Sequence, residues 1–214
     1  MKRLKNNTFA RFGRKYFEEI KKLDNMCPVD ATEAIGILDK ISVPEDSRLG
    51  VELAGDAIGG ECRFFLYPKD EDPYSKSTRL YKENLVEELY VKPSAMGAWQ
   101  AYLFQQSPKV MQTFWHGGYI KRDFIFSMAT LKDIPKNNDF VDERLNKVLA
   151  QVPEEDLLPA VMYHNNLAAV SCCYWTSWGG LIRETVMMRF KDNRIHFLKS
   201  HKDYLIRYEC GVCY

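Results

Sequence analysis

From Pro159 onward the chain alternates apolar and polar residues with period two, broken only by short turn-forming clusters. Asn165-Asn166, Trp178-Gly179-Gly180, Asp192-Asn193 and His201-Lys202 stand between the strand-like runs. Asn, Asp and Gly tolerate the left-handed backbone that two-residue hairpin loops require. Connections this short join only antiparallel neighbours, because a parallel crossover needs a dozen residues or more. The pattern therefore predicts an antiparallel β-meander of four or five strands over 159–210.

Two-residue loops also set register. With Asp192-Asn193 as the loop, Phe190 opposes Ile195, Met188 opposes Phe197, Val186 opposes Lys199 and Glu184 opposes His201. Antiparallel partners share a sheet face. A loop at Gly179-Gly180 places Cys173 opposite Val186 and Trp175 opposite Glu184. A loop at His201-Lys202 places Lys199 opposite Tyr204, Phe197 opposite Ile206 and Ile195 opposite Tyr208. One face then has an apolar half and, at its other end, Trp175, Glu184, Lys199, His201 and Tyr204. Ionisable groups at the edge of an apolar surface are candidates for ligand binding or acid–base chemistry. There Glu184 would orient His201 as general base, with Tyr204 as a hydrogen-bond donor. The opposite face carries Arg183, Arg189, His196, Arg207 and Glu209 around Met187, Leu198 and Leu205. A charged rim around apolar residues is the composition of a protein-binding surface.

The first part of the chain reads differently. Residues 8–24 carry Phe9, Phe12, Tyr16, Ile20 and Leu23 at steps of three and four, an amphipathic helix with Thr8 as N-cap. A second helix is expected over 31–42, with Asp30 and Glu33 at capping-box spacing and Pro44 as its stop, completing a helical pair over 8–42. A hairpin over 48–67 turns at Gly59-Gly60, and the polar stretch 68–79 is a loop exposing Asp70, Glu71 and Asp72. A further strand is expected at 84–91. A helical region over 93–151 holds one helix to about Gln106, a new start at Ser107-Pro108 ending near Gly117-Gly118, and a short helix at 141–151. The expected fold is α+β, a single domain over 1–214 with N-terminal and central helices packed on an antiparallel sheet and a C-terminal β-meander.

Composition narrows the function. The 214 residues hold 30 basic and 29 acidic side chains, a formal charge of +1. A nucleic-acid binder normally has a basic excess, so the cluster Lys2, Arg3, Lys5, Arg11, Arg14 and Lys15 reads as a solvated helix face. No apolar run approaches the roughly 20 residues of a membrane helix, and no signal-peptide core is present. The expectation is a cytoplasmic protein whose six cysteines are mostly thiols. Cys172-Cys173 should point to opposite sides of a strand. Cys210-Gly211-Val212-Cys213 follows a strand pattern, whereas redox use favours a helix N-terminus. A zinc site joining it to His196 and His201 fails on reach, because a strand over 203–210 separates His201 from Cys210 by about 30 Å. His116-Gly117-Gly118 has no nucleophile elbow to serve. Trp99, Tyr102, Phe104, Phe114 and Trp115 at helical spacing read as core. No P-loop, dinucleotide fingerprint or metalloprotease motif occurs, so no cofactor and no metal is expected. The reading that follows is a non-catalytic protein-binding module, such as an inhibitor or immunity-type protein that neutralises a toxin or effector. A small enzyme or ligand-binding domain using the Trp175 end of the sheet is the alternative.

Overall fold

A computed structural model describes residues 3–5, 7–23, 29–55, 60–111, 115–134 and 139–209. In chain order these form β1 (Arg3–Lys5), α1 (Asn7–Ile20), β2 (Val29–Asp30), β3 (Ile41–Ser42), β4 (Ser47–Gly55), β5 (Gly60–Pro68) and β6 (Tyr90–Val91). Then come α2 (Ala95–Val110), α3 (Trp115–Ile120), β7 (Asp123–Phe124), α4 (Met128–Lys132), α5 (Asp139–Gln151) and α6 (Glu154–Leu157). The chain finishes with β8 (Ala160–His164), β9 (Leu167–Thr176), β10 (Gly180–Lys191) and β11 (Arg194–Ile206). The fold is α+β. The principal sheet runs β1-β8-β9-β10-β11, with β7 beside β8 on the same edge of β9. Its described pairs are all antiparallel. Smaller sheets are β2-β4-β5 and β3-β6.

Two of the meander's loops form as the turn chemistry predicts. Asn165, Asn166, Asp192 and Asn193 all have positive φ, from 46° to 62°, as the loops β8–β9 and β10–β11 demand. Gly180 also has positive φ, at 83°, and a Cβ there would lie 2.1 Å from the Ile206 carbonyl oxygen. Only glycine fits that close approach.

α2 is the pivot of the interior. Ser94 caps it, its hydroxyl accepting the Gly97 N–H at 2.9 Å. It is apolar nearly all round, the signature of a helix enclosed on every side. It packs against α1, β5, β8 and β9. Trp99 donates its indole N–H to the Phe9 carbonyl at 3.0 Å, and Tyr16 shares a 2.8 Å hydrogen bond with Ser107. Burial of Tyr16 drives its pKa up, and the Ser107 bond offsets that only in part. Trp99, Tyr102 and Phe104 are core residues, as their spacing predicts.

The main cluster joins α1, α2 and β5 to the inner face of the sheet through Val170, Cys172, Tyr174, Ile182, Val186 and Met188. A second cluster covers one end of the outer face. Leu131, Val141, Leu145, Val148 and Leu157 there pack with Cys173, Trp175, Leu181 and Ile206.

Four expectations change. Residues 31–42 are successive turns rather than a helix. Only Ile35 reaches back four residues, to Ala31, whereas Gly36, Leu38 and Ile41 each close a turn of three. Gly36 weakens a helix by about 1 kcal/mol, and the flanking residues are drawn into strands β2 and β3. Asp30 bonds the Thr32 N–H at 2.8 Å in an Asx turn. Ile35 and Leu38 are nevertheless buried. At 84–91 a 3-10 turn over Leu85–Glu88 precedes the two-residue β6. α2 continues through Ser107-Pro108, because a proline near the C-terminal end removes a single ladder bond. The Ser107 hydroxyl adds a bond to the Leu103 carbonyl at 3.0 Å. Gly117-Gly118 lies within α3 rather than ending a helix. The hairpin of β4 and β5 forms, with Gly59 outside the described residues.

Candidate functional site

The β10–β11 hairpin holds its predicted register for the first pairs, Phe190 with Ile195 and Met188 with Phe197. A β-bulge then takes up Leu198, so that Lys199 opposes Met187 and not Val186. The next pairs, down to Ile182 with Tyr204, shift by one: Thr185 faces His201, Glu184 faces Lys202 and Arg183 faces Asp203. A bulge of one residue reverses the face of everything beyond it. No turn occurs at His201-Lys202, and β11 continues to Ile206, with a second register shift at Leu205 that places Ile206 opposite Leu181. The predicted pairs Lys199–Tyr204, Phe197–Ile206 and Ile195–Tyr208 are therefore absent. Between β9 and β10 the connection is Ser177–Gly179, so Cys172 rather than Trp175 opposes Glu184, and Cys173 opposes Arg183 rather than Val186.

These shifts divide the predicted pocket. Trp175 lies on the outer face, its ring 5.4 Å from that of Tyr208. Lys199 and His201 are on the outer face too, both exposed. Glu184 and Tyr204 belong to the inner face. The acid–base assembly of Glu184, His201 and Tyr204 is not formed, because Glu184 and His201 project from opposite sides of the sheet.

Glu184 is 4% exposed and fully engaged. Its Oε2 accepts the Tyr102 hydroxyl at 3.1 Å and Arg122 Nη1 at 2.9 Å, and Lys202 Nζ stands 4.0 Å from Oε1. The Arg122 guanidinium lies 4.2 Å over the Tyr174 ring and also bonds Gln106. Burial, then the charge of Glu184, holds the Tyr102 hydroxyl well above its ordinary pKa. Burial likewise raises Cys172 and Tyr174. The neutral hydroxyls and thiol surround one ion pair, which fixes α2 and the segment before β7 to the sheet.

On the outer face, helices α4 to α6 cover only one end. The rest exposes Arg183, Arg189 and His196 along one surface, with Thr185 and Met187 between them. Arg183 Nη2 lies 3.1 Å from Asp203, which also receives a 2.8 Å bond from His201. Those two partners, His201 first, hold the Asp203 carboxyl below its usual range. His196 Nδ1 is 3.5 Å from Glu87. A hollow of about 310 Å³ beside Arg183 is lined by Met162, Ala169, Ser171, Thr185, Asp203 and Asp156, among others. Of the predicted partner-binding set, Arg207 departs: it stacks 4.3 Å over Tyr204, whose strand position is opposite Ile182 on the inner side. Glu209 is exposed beyond the end of β11. Asp203, Ser171 and Thr185 escaped the sequence reading. The bulge concealed Asp203, and the displaced β9–β10 loop concealed Ser171.

Cys172 and Cys173 are buried on opposite faces, as alternation predicts, and burial pushes the Cys173 thiol up to about 12. The 210–213 cysteine pair lies outside the described residues. Arg11, Arg14 and Lys15 are exposed along α1. Among the described residues no group of three or more His, Cys, Asp or Glu is placed to hold a metal ion. No described helix is long and apolar enough to cross a membrane. Comparison of the chain with protein-family models, with curated proteins and with solved structures gives no match.

Proposed function

We propose that the protein is a non-catalytic binding module that docks an acidic protein surface on the uncovered part of the outer sheet face. The observation that carries this reading is the unequal covering of that face. One end is buried under helices, while the other presents apolar and cationic side chains together. Met187 is half-buried, and Leu198 and Leu167 are 45% and 37% exposed. Arg189 and Lys199 are exposed and form no ion pair among the described residues. Apolar area supplies affinity, whereas unanswered cations steer an acidic partner and select it. Three described cysteines are buried free thiols, in keeping with action in the cytoplasm. A module of this kind acts as an inhibitor, neutralising a toxin or effector by covering it.

The test places a photo-crosslinking residue at Met187 or Lys199, with Lys147 on the exposed side of α5 as control. After exposure to source-cell lysate, adducts are identified by mass spectrometry. The expected result is one partner captured at Met187 and Lys199, not at Lys147, with capture at Met187 lost in the Arg189→Glu, Lys199→Glu double variant. Equal capture at all three positions, or capture unaffected by the charge reversals, overturns the reading.

A further inference from the structure

A cleft of about 600 Å³ lies away from the outer face, between β5, the C-terminal end of α2 and the segment 81–85. That volume is typical of small-molecule sites. Its floor is aromatic: Phe64 and Phe104 are both buried, with ring centroids 5.1 Å apart. Its rim is cationic. Arg63, Lys82, Lys109 and Arg122 line it against a single acid, Glu83.

The four cations are not equivalent. Lys82 is answered by Glu88 and Arg122 by Glu184, both outside the cleft lining. Lys109 forms no ion pair among the described residues. Arg122 is held rigidly, clamped by Glu184 and Gln106 and stacked on Tyr174. A clamped guanidinium loses little freedom when it meets a carboxylate or phosphate. Positive charge in a concave, partly apolar site also focuses its field on an entering anion.

We propose that this cleft binds a small organic anion, with a flat apolar body on Phe64 and Phe104 and its phosphate or carboxylate beside Lys109 and Arg122. The site and the outer face are independent, so either proposal can fail without the other.

The test is calorimetric titration of the full chain with adenosine monophosphate, 1-naphthoate, inorganic phosphate and uncharged adenosine. The expected result is saturable binding of at least one of the two organic anions, with adenosine weaker by about tenfold or more. A phosphate-bearing ligand is indicated if only the nucleotide binds, and a carboxylate if only naphthoate binds. Lys109→Glu should weaken binding by about tenfold, a loss of about 1.4 kcal/mol, and Lys147→Glu should leave it unchanged. Thermal melting checks that the variants fold. Should Lys109→Glu not fold, Lys109→Gln and amide shifts on the wild-type protein at Phe64 and Gln106 decide the location. No saturable binding of either organic anion at millimolar concentration overturns the proposal. So does adenosine matching the nucleotide, inorganic phosphate accounting for all of the binding, or an unchanged affinity at position 109.

Discussion

Arg183 and Glu184 are neighbours on β10 and each forms an ion pair, yet they occupy opposite environments. Glu184 and Arg122 have side chains 5% and 13% exposed, under α2 on the inner face. Arg183 and Asp203 are 30% and 40% exposed on the outer face. The distances differ little, 2.9 Å against 3.1 Å. Solvent therefore sets the difference. The buried pair has given up hydration and is committed to its partners, whereas the outer pair can exchange its partners for water or for another protein. The sheet thus has a buried structural face and a more exposed face, the one on which docking is proposed.

The largest expected effect follows from breaking the inner pair. Glu184→Ala leaves Arg122 without its carboxylate and Tyr102 without its acceptor, and should lower stability by about 3–5 kcal/mol. Arg183→Ala, one residue away, should lower it by about 0–1 kcal/mol. Urea unfolding of both variants measures the contrast, and similar losses would erase the distinction between the faces. Glu184→Leu combined with Arg122→Met should recover most of the loss, since a packed apolar pair often replaces a buried ion pair without penalty.

The next effect separates another adjacent pair. Met188 is wholly buried on the inner face, and Met187 is half-buried on the outer face. Met188→Ala should cost about 2–5 kcal/mol, from lost transfer free energy and the cavity left behind. Met187→Ala should change stability by about 0.5 kcal/mol at most, while weakening capture of the partner. Equal destabilisation would mean that the outer face is already packed, which would remove the basis for docking there.

How much of this was legible in the sequence depended on how local the determining physics is. The Asn165-Asn166 and Asp192-Asn193 turns were readable because each requires positive φ at both positions, and these residue types supply it. The burial of Trp99, Tyr102 and Phe104 was readable from helical spacing. The bulge at Leu198 was not. It has no glycine or proline to mark it, and the pairing of Asp203 with Arg183 exists only after the one-residue shift. Glu184 was read as a pocket residue beside His201, and its actual partner Arg122 was missed because 62 residues separate them and only the fold brings them together. Segment 31–42 had helical spacing of its apolar residues and buries them, yet pairing with β4 and β6 overrode the local pattern. These misses concern long-range contacts or a register shift, whereas the continuation of α2 through Ser107-Pro108 is a local one, a proline near a helix end that removes a single ladder bond.

The smallest effect tests the outer face by titration. Asp203 is held below its usual range by the bond from His201 and then by that from Arg183, and a second carboxylate, Asp156, lines the same hollow. A carboxylate whose folded pKa is depressed contributes stability above its unfolded value of about 3.9 and loses it as pH falls through the folded value. Asp203→Asn should therefore destabilise near neutrality by no more than about 1 kcal/mol, because the pair is exposed and screened. The difference between variant and wild type should shrink as pH falls below about 4, and shrink at neutral pH when salt is raised. A bound acidic partner changes that result. It would compete with Asp203 for Arg183, so Asp203→Asn should strengthen capture while slightly weakening the fold. Weaker capture in that variant would instead mean that Asp203 presents Arg183 to the partner in a fixed orientation, and the outer face would then be a prearranged interface rather than a surface whose pairs exchange on binding.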